Sequence, residues 1–441
     1  MNSVKIANWG NYPVVDAQVA EFGNREEIEK NLLAVPSCVI RGAGLSYGDA
    51  SLAGNILSTM KFNKILQFND QAGIITVEAG ATLDEILKVI VPKGWFLPVT
   101  PGTKFITAGG AVAGDVHGKN HHSEGAFCRY VTQLDLLMAD GKEIVCTPVS
   151  TPELFKTVCA GLGHSAFILT VQFKLKPIKT AFIRQRNVIV ENLDDMLAKL
   201  QDFGSTTYSV SWIDCLARGK SLGRGVLMLG EHATPDEVSD KDLLRVHSNP
   251  KVTAPFFFPS FLLNSLTVRS FNFLFFNKHK LSAKDFIVHY DPYFYPLDFV
   301  RNWNKLYGRR GFLQYQFVIP FENSAKGLRV ILDKISNSGL ASFLAVLKGM
   351  GAAENLLSFP MPGFTLALDF PVSDKIFPLL NELDKIVVDL GGRIYLVKDA
   401  RMASDTYWKG YPNASEFKRL VTTFDPDHKF SSLLSKRLNM I

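Results

Sequence analysis

The sequence predicts an α+β protein of two domains, and three observations carry that prediction. Capped amphipathic helices and β-rich runs mix through the first part of the chain without strict βαβ repetition. Beyond Lys176-Pro-Ile-Lys179 the pattern changes to long period-2 strands separated by helices, as in an antiparallel sheet. Two glycine-rich stretches stand in the first part: Arg41-Gly-Ala-Gly-Leu-Ser-Tyr-Gly48, and the run from Pro101-Gly-Thr103 to His122.

The first stretch follows the β-rich run Ser37–Ile40. A strand there ends in a turn where Gly42, Gly44 and Gly48 can take positive φ and expose successive N–H groups, a nest suited to a pyrophosphate; an ordinary turn is the alternative. It is no dinucleotide fingerprint. The third glycine comes one residue late, and Asp49-Ala-Ser-Leu-Ala-Gly54 does not open a helix. In the second stretch Ala108, Gly109, Gly110, Ala111, Ala113 and Gly114 form a surface without side chains, on which a flat ligand can lie against the backbone. Thr103, Thr107, His117, Lys119, Asn120, His121 and His122 supply a hydrogen-bonding rim. A metal site is the rival reading of the histidines, but no ligand spacing accompanies them, and none is expected.

Between the stretches, Gly73–Glu78 reads as a strand. Thr82–Val91 reads as a helix opened by a Thr-x-x-Glu capping box and ended by Pro92 and Gly94. A second capped helix, Thr151–Val158, precedes the strand Ala166–Leu175. In the second part, Tyr208–Asp214, Leu313–Pro320, Ala341–Lys348 and Phe364–Phe370 read as strands, and Leu193–Phe203, Ala325–Ser336 and Ile376–Leu390 as covering helices. Alternation puts Leu313, Tyr315, Phe317 and Ile319 on one face and Gln314, Gln316 and Val318 on the other. Lys348 shares a face with Leu344 and Val346, and Lys398 with Ile394 and Leu396. One such lysine snorkels at an edge; two, with two glutamines, point to a shared polar cavity.

The composition is that of a globular chain: 441 residues, 47% hydrophobic and 20% charged. A net charge of +6 without like-charge blocks gives no support for nucleic-acid binding. Five scattered cysteines argue for reduced thiols. The N-terminus lacks a signal-peptide core and no stretch is long enough to span a membrane, so a cytoplasmic location is expected. The Phe-rich segment 255–276, flanked by basic residues, fits a lipid interface at the inner membrane or an ordinary buried helix; Pro255 and Pro259 argue against one regular helix from its start.

The two glycine stretches, with Leu134-Asp-Leu-Leu-Met-Ala-Asp-Gly141, resemble the FAD-binding domain of the vanillyl-alcohol oxidase type. More narrowly, with Leu313-Gln-Tyr-Gln-Phe317 and Gly391–Arg401, nearly the whole chain is similar to the FAD-containing oxidase subunit of decaprenylphosphoryl-ribose 2′-epimerase. The resemblance implies a FAD-binding domain of residues 1–180 and 393–441 around a substrate domain of 181–392. It implies oxidation of a sugar secondary alcohol, the 2′-hydroxyl of a polyprenylphosphoryl-ribose, with a short-chain reductase completing the epimerisation. A soluble sugar or alditol oxidase, or a flavin-binding subunit without turnover, are the competitors.

Carried over residue by residue, cofactor contacts fall on Arg41, Gly42, Ala43, Gly44, Leu45, Ser46, Tyr47, Pro101, Gly102, Thr103, Thr107, Gly109, Gly110, Gly114, His117, Gly118, Asn120, Ile168 and Tyr395. Substrate contacts fall on Tyr47, Trp212, Gln314, Gln316, Lys348 and Lys398. Catalysis is expected of Lys398, with Gln316 and with His117 as the second candidate base. Neutral, Lys398 can take the substrate proton; charged, it can hold developing negative charge or orient the hydroxyl. Leu45 stands where several relatives carry the histidine that binds flavin covalently, so non-covalent FAD is expected. Ala367 replaces the cysteine that covalent inhibitors attack in the mycobacterial enzyme.

Overall fold

In the computed structural model, residues 2–250, 252–259, 263–281, 285–340, 342, 344–352 and 354–441 are described. The N-terminal part holds two sheets. The first has four strands in the order Asn2–Ala7, Val14–Glu21, Asn55–Ser58, Val39–Arg41, its first pair antiparallel and the others parallel. The second is antiparallel, in the order Ile65–Asn69, Ile74–Glu78, Phe167–Lys174, Val131–Leu137, Glu143–Cys146. Helix Leu83–Ile90 buries Leu83, Ile86, Leu87 and Ile90 against that sheet, and its Thr82–Glu85 capping box is formed as expected. Helix Pro152–Val158 differs: Thr151 makes no side-chain cap and instead accepts the N–H of Thr147 at 3.1 Å.

Residues 182–394 build one eight-stranded antiparallel sheet. Its order is Phe286–His289, Phe182–Val190, Gly225–His232, Tyr208–Ile213, Ala345–Met350, Gly363–Pro371, Phe312–Pro320, Arg393–Ile394. The expected strand at Ala341–Lys348 starts later, at Ala345, and positions 341 and 343 lie outside the described residues. Leu313, Tyr315, Phe317 and Ile319 share a core with Leu347, Leu366 and Leu368 and with helices Leu193–Asp202, Phe321–Ser338 and Ile376–Asp389. All three helices cover that one face. The opposite face, bearing Gln314, Gln316 and Val318, turns toward the glycine stretches.

One expectation fails here. The last strand ends at Ile394, and Lys398 lies in a turn closed by its own N–H on the Tyr395 carbonyl at 3.0 Å, so it shares no strand face with Ile394 and Leu396. Those two residues are buried on the helix-covered side, whereas Tyr395 and Val397 pack on the other. The Phe-rich segment forms helix Ser265–Leu281, beginning six residues after Pro259.

After the sheet the chain returns to the N-terminal part. Cys38 and Phe430 form a parallel bridge, the Leu433 N–H reaches the Leu52 carbonyl at 2.8 Å, and His164 bonds Ser432 at 3.1 Å. Arg437 closes the return: it forks onto Asp49 at 2.8 and 2.9 Å and reaches Asp399 at 2.9 Å. Both carboxylates are at most 5% exposed, so Arg437→Ala leaves two buried charges without their partner. The expected cost is about 3–5 kcal/mol, read as a lowered urea midpoint with an unchanged m-value; a loss below about 1 kcal/mol contradicts it.

Candidate active site

The site forms where the first glycine loop, the second glycine stretch and the polar sheet face meet. In the first loop only Gly44 takes positive φ (67°); Gly42 and Gly48 do not, contrary to expectation. Their glycines answer to close approach instead. A Cβ on Gly42 would stand 2.2 Å from the Thr107 hydroxyl, and one on Gly48 1.8 Å from the Asp399 carbonyl. Among the described residues nothing accepts a hydrogen bond from the backbone N–H of Ala43, Gly44, Leu45 or Ser46. That row of open donors is what a pyrophosphate requires.

The second stretch corrects the picture of an extended bare surface. Ala108–Ala113 is a short helix capped by Thr107, and the N–H groups of Ala108, Gly109 and Gly110 are already taken by Ala81, Ala79 and Thr107. What it offers a ligand is small side chains. Gly42, Thr107, Gly109, Gly110 and Ala113 line one cleft with Ile40, Gly163 and Ile168. The Pro101–Thr103 turn is fixed from behind by Lys104, which is 1% exposed, pairs with Asp291 at 2.6 Å and donates its N–H to Asp298 at 2.9 Å. Burial pushes the Asp298 carboxyl up to about 6.

Much of the expected rim turns inward. Asn120 is spent on the Pro98 carbonyl and Glu124, His121 on the Gly351 N–H, His122 on the Thr206 carbonyl, and Lys119 on the Tyr293 carbonyl and ring. Gly118 lies under the Thr100 carbonyl. Arg41 likewise holds the N-terminal strand, through Asn8 and the Ala7 carbonyl, with its guanidinium lying across Gly44. Among the described residues, no group of three His, Cys, Asp or Glu is placed to hold a metal.

His117 and Tyr395 do come together with the sheet residues. Gln316 Nε2 faces His117 Nε2 at 3.3 Å and donates to Thr365 at 3.2 Å, which leaves its carbonyl for a ligand. Burial, and then Lys348, His121 and Lys398, hold His117 well below the usual histidine range, so it stays neutral. Among the described residues nothing bonds its buried Nδ1. Tyr395 stacks on Phe359 at 4.5 Å and donates to the Gly114 carbonyl at 3.2 Å, at the end of the glycine helix. Lys398 Nζ stands 3.8 Å over the Tyr47 ring. Burial lowers Lys398 to about 7 against the pull of Asp369, and lowers Lys348 to about 8. Trp212, opposite Val346 on the next strand, packs on Phe275 at 4.7 Å.

Sequence reasoning missed Asp369. It is fully buried, accepts from Gln314 at 2.6 Å and from Tyr307 at 3.2 Å, and burial pushes it up to about 7. The signal was present: in Thr365-Leu-Ala367-Leu-Asp369 it shares the face of Ala367, which pairs with Gln316.

A loop of open backbone donors, a cleft with small walls and a buried pocket holding two depressed lysines fit a FAD-dependent oxidoreductase. Residues 20–147 match the FAD binding domain family. Decaprenylphosphoryl-beta-D-ribose oxidase of Mycolicibacterium smegmatis is 32% identical over 99% of this chain and 98% of its own length. An uncharacterized protein of Streptomyces coelicolor is 31% identical over 81% of this chain and all of its own. Human delta(24)-sterol reductase is 29% identical over 31% of this chain and 26% of its own. The chain belongs to the family of the mycobacterial oxidase, with the vanillyl-alcohol oxidase type of fold, and FAD is its cofactor. Leu45 has no nucleophilic atom, so acid precipitation is expected to leave a colourless pellet and a yellow supernatant; a yellow pellet would establish a covalent link.

Proposed function

We propose that this enzyme oxidises a secondary hydroxyl of a sugar, the 2′-hydroxyl of a polyprenylphosphoryl-ribose, to the 2′-keto sugar, as the first half of an epimerisation that a separate reductase completes. The observation that carries this reading is the pair of desolvated lysines, Lys348 on the polar sheet face and Lys398 in the turn beside it, near Gln316 and His117. A hydroxyl needs a base, and a phosphodiester needs a cation. Lys398, held near neutrality, takes the hydroxyl proton; Lys348 meets the phosphate, which in turn keeps it charged. Gln316 offers its carbonyl to a sugar hydroxyl. Bound FAD supplies the two-electron acceptor for the carbinol hydride. The name of the mycobacterial relative supports this substrate class.

The domain division of 1–180 with 393–441 against 181–392 belongs to the same reading, since the site draws on both parts. So does docking on an anionic lipid surface. Phe256, Leu266, Phe273 and Leu274 are each at least 59% exposed, and Arg269, Lys278 and Lys280 stand exposed on the same helix as the last three. Among the described residues no helix is long and apolar enough to cross a membrane. Polar residues in place of Phe273 and Leu274 are expected to reduce cosedimentation with anionic liposomes several-fold while leaving the flavin spectrum unchanged. Undiminished cosedimentation would remove the lipid reading.

Lys398→Ala is expected to keep its FAD and to slow substrate-dependent flavin reduction about 10² to 10⁴-fold in rapid anaerobic mixing. Because the neutral amine is the working form, the parental rate should rise with pH through about 7 and level off above it. A variant that reduces its flavin at the parental rate would exclude Lys398 as the base.

A further inference from the structure

Asp369 has no part in the scheme above, and its placement calls for one. An acid 0% exposed in the middle of a strand is costly to bury, and a purely structural position is served as well by a neutral amide. It is held on every side: Gln314 Nε2 on one oxygen, the Tyr307 hydroxyl on the other, and its own N–H on Ser342 Oγ at 2.9 Å. Gln314 also lies beside the Tyr47 hydroxyl, and the Tyr47 ring carries the Lys398 ammonium. Asp369 is thus at the base of a stack whose top is the amine.

The charges facing Lys398 come from each element around it. Asp369 comes from the Gly363–Pro371 strand, Lys348 from the Ala345–Met350 strand, His117 from the turn after the glycine helix, and the Tyr47 ring from the first loop. His117 is neutral and Lys348 repels, so the ionised form of Asp369 is the countercharge facing the amine. No ion pair within 4.0 Å joins Asp369 to Lys398; it acts through the field of a buried pocket, where such fields are strong.

We propose that Asp369 is the positioning residue whose charge stabilises the ammonium formed when Lys398, seated over Tyr47, takes the substrate's hydroxyl proton, with Lys348 opposing it. The O–H bond breaks and its proton forms an N–H bond on Lys398 Nζ. The hydrogen on the same carbon leaves with its electron pair to the bound cofactor, as in the oxidation proposed above, on which this inference rests. Asp369 neither gains nor loses a covalent bond. The two neighbours pull the amine in opposite directions: the carboxylate raises its proton affinity and Lys348 lowers it.

Opposite signs make the test. In the FAD-loaded protein, the pH dependence of Lys398 arylation by fluorodinitrobenzene, followed by peptide mass, reads the neutral amine without substrate. Asp369→Asn should move that midpoint down by about one pH unit, Lys348→Met should move it up, and Asp369→Glu should leave it near the parental value. The pH limb of flavin reduction should follow the same order, with a lower plateau in Asp369→Asn. Thermal midpoints and bound FAD identify any variant that has merely lost its fold; Asn, neutral and nearly isosteric, is expected to keep both. An unmoved midpoint in Asp369→Asn, or a shift in the same direction as Lys348→Met, overturns the proposal. Failure of polyprenylphosphoryl sugars to reduce the flavin would instead sink the functional reading, and the arylation midpoints would still decide this one.

Discussion

The site depends on one contact, between the first glycine loop and the turn that carries Lys398. The Tyr47 N–H donates to the Val397 carbonyl at 3.0 Å, and Gly48 admits the Asp399 carbonyl where any side chain would collide. Arg437 then bridges Asp49 of the loop to Asp399 of the turn. Burial pushes the Asp49 carboxyl up while the guanidinium works against it, so the three charges are tolerated only together. The consequence is chemical. Tyr47 and Lys398, some 350 positions apart in the chain, are brought together with the Lys398 amine over the Tyr47 ring, and the loop with its open backbone amides is fixed to the turn that carries Lys398.

An antiparallel sheet suits this task because its two faces are independent. One face of the eight-stranded sheet is closed by three helices over Leu, Ile and Phe side chains, which anchors the strands. The other face is then free to carry Gln314, Gln316, Lys348 and Asp369 from three neighbouring strands, with Ala367 between them. Polar groups there are supported by each other and by His117, Thr365 and Tyr307. Two lysines and an acid in one buried pocket would destabilise a purely structural core; in a site that moves a proton, the same desolvation brings their proton affinities toward one another.

Local rules in the chain settled a good deal. The Thr82–Glu85 capping box, the alternation of Leu313–Ile319 and the three covering helices all follow from neighbours in sequence, since the energies involved act over two to four residues. The same alternation put Gln314, Gln316 and Lys348 on a common cavity face. It misjudged Lys398, because its strand stops after Ile394 and the chain turns to meet Tyr47 and Gly48. The sequence pattern has no means of showing that contact.

By itself, then, the sequence determined the fold class, the glycine loops that suit FAD and the residue types available for catalysis. Only the tertiary structure decided which polar groups face the site. Arg41, Lys119, Asn120 and His122 spend suitable donors, and His121 an acceptor nitrogen, on backbone and side chains brought close by folding. Asp369 reads as an unremarkable strand acid until Gln314 and Tyr307 close around it and the charge of Lys398 faces it. The physical reason is that a donor or charge is defined by its partner and its exposure to water, and both are set by long-range closure of the chain.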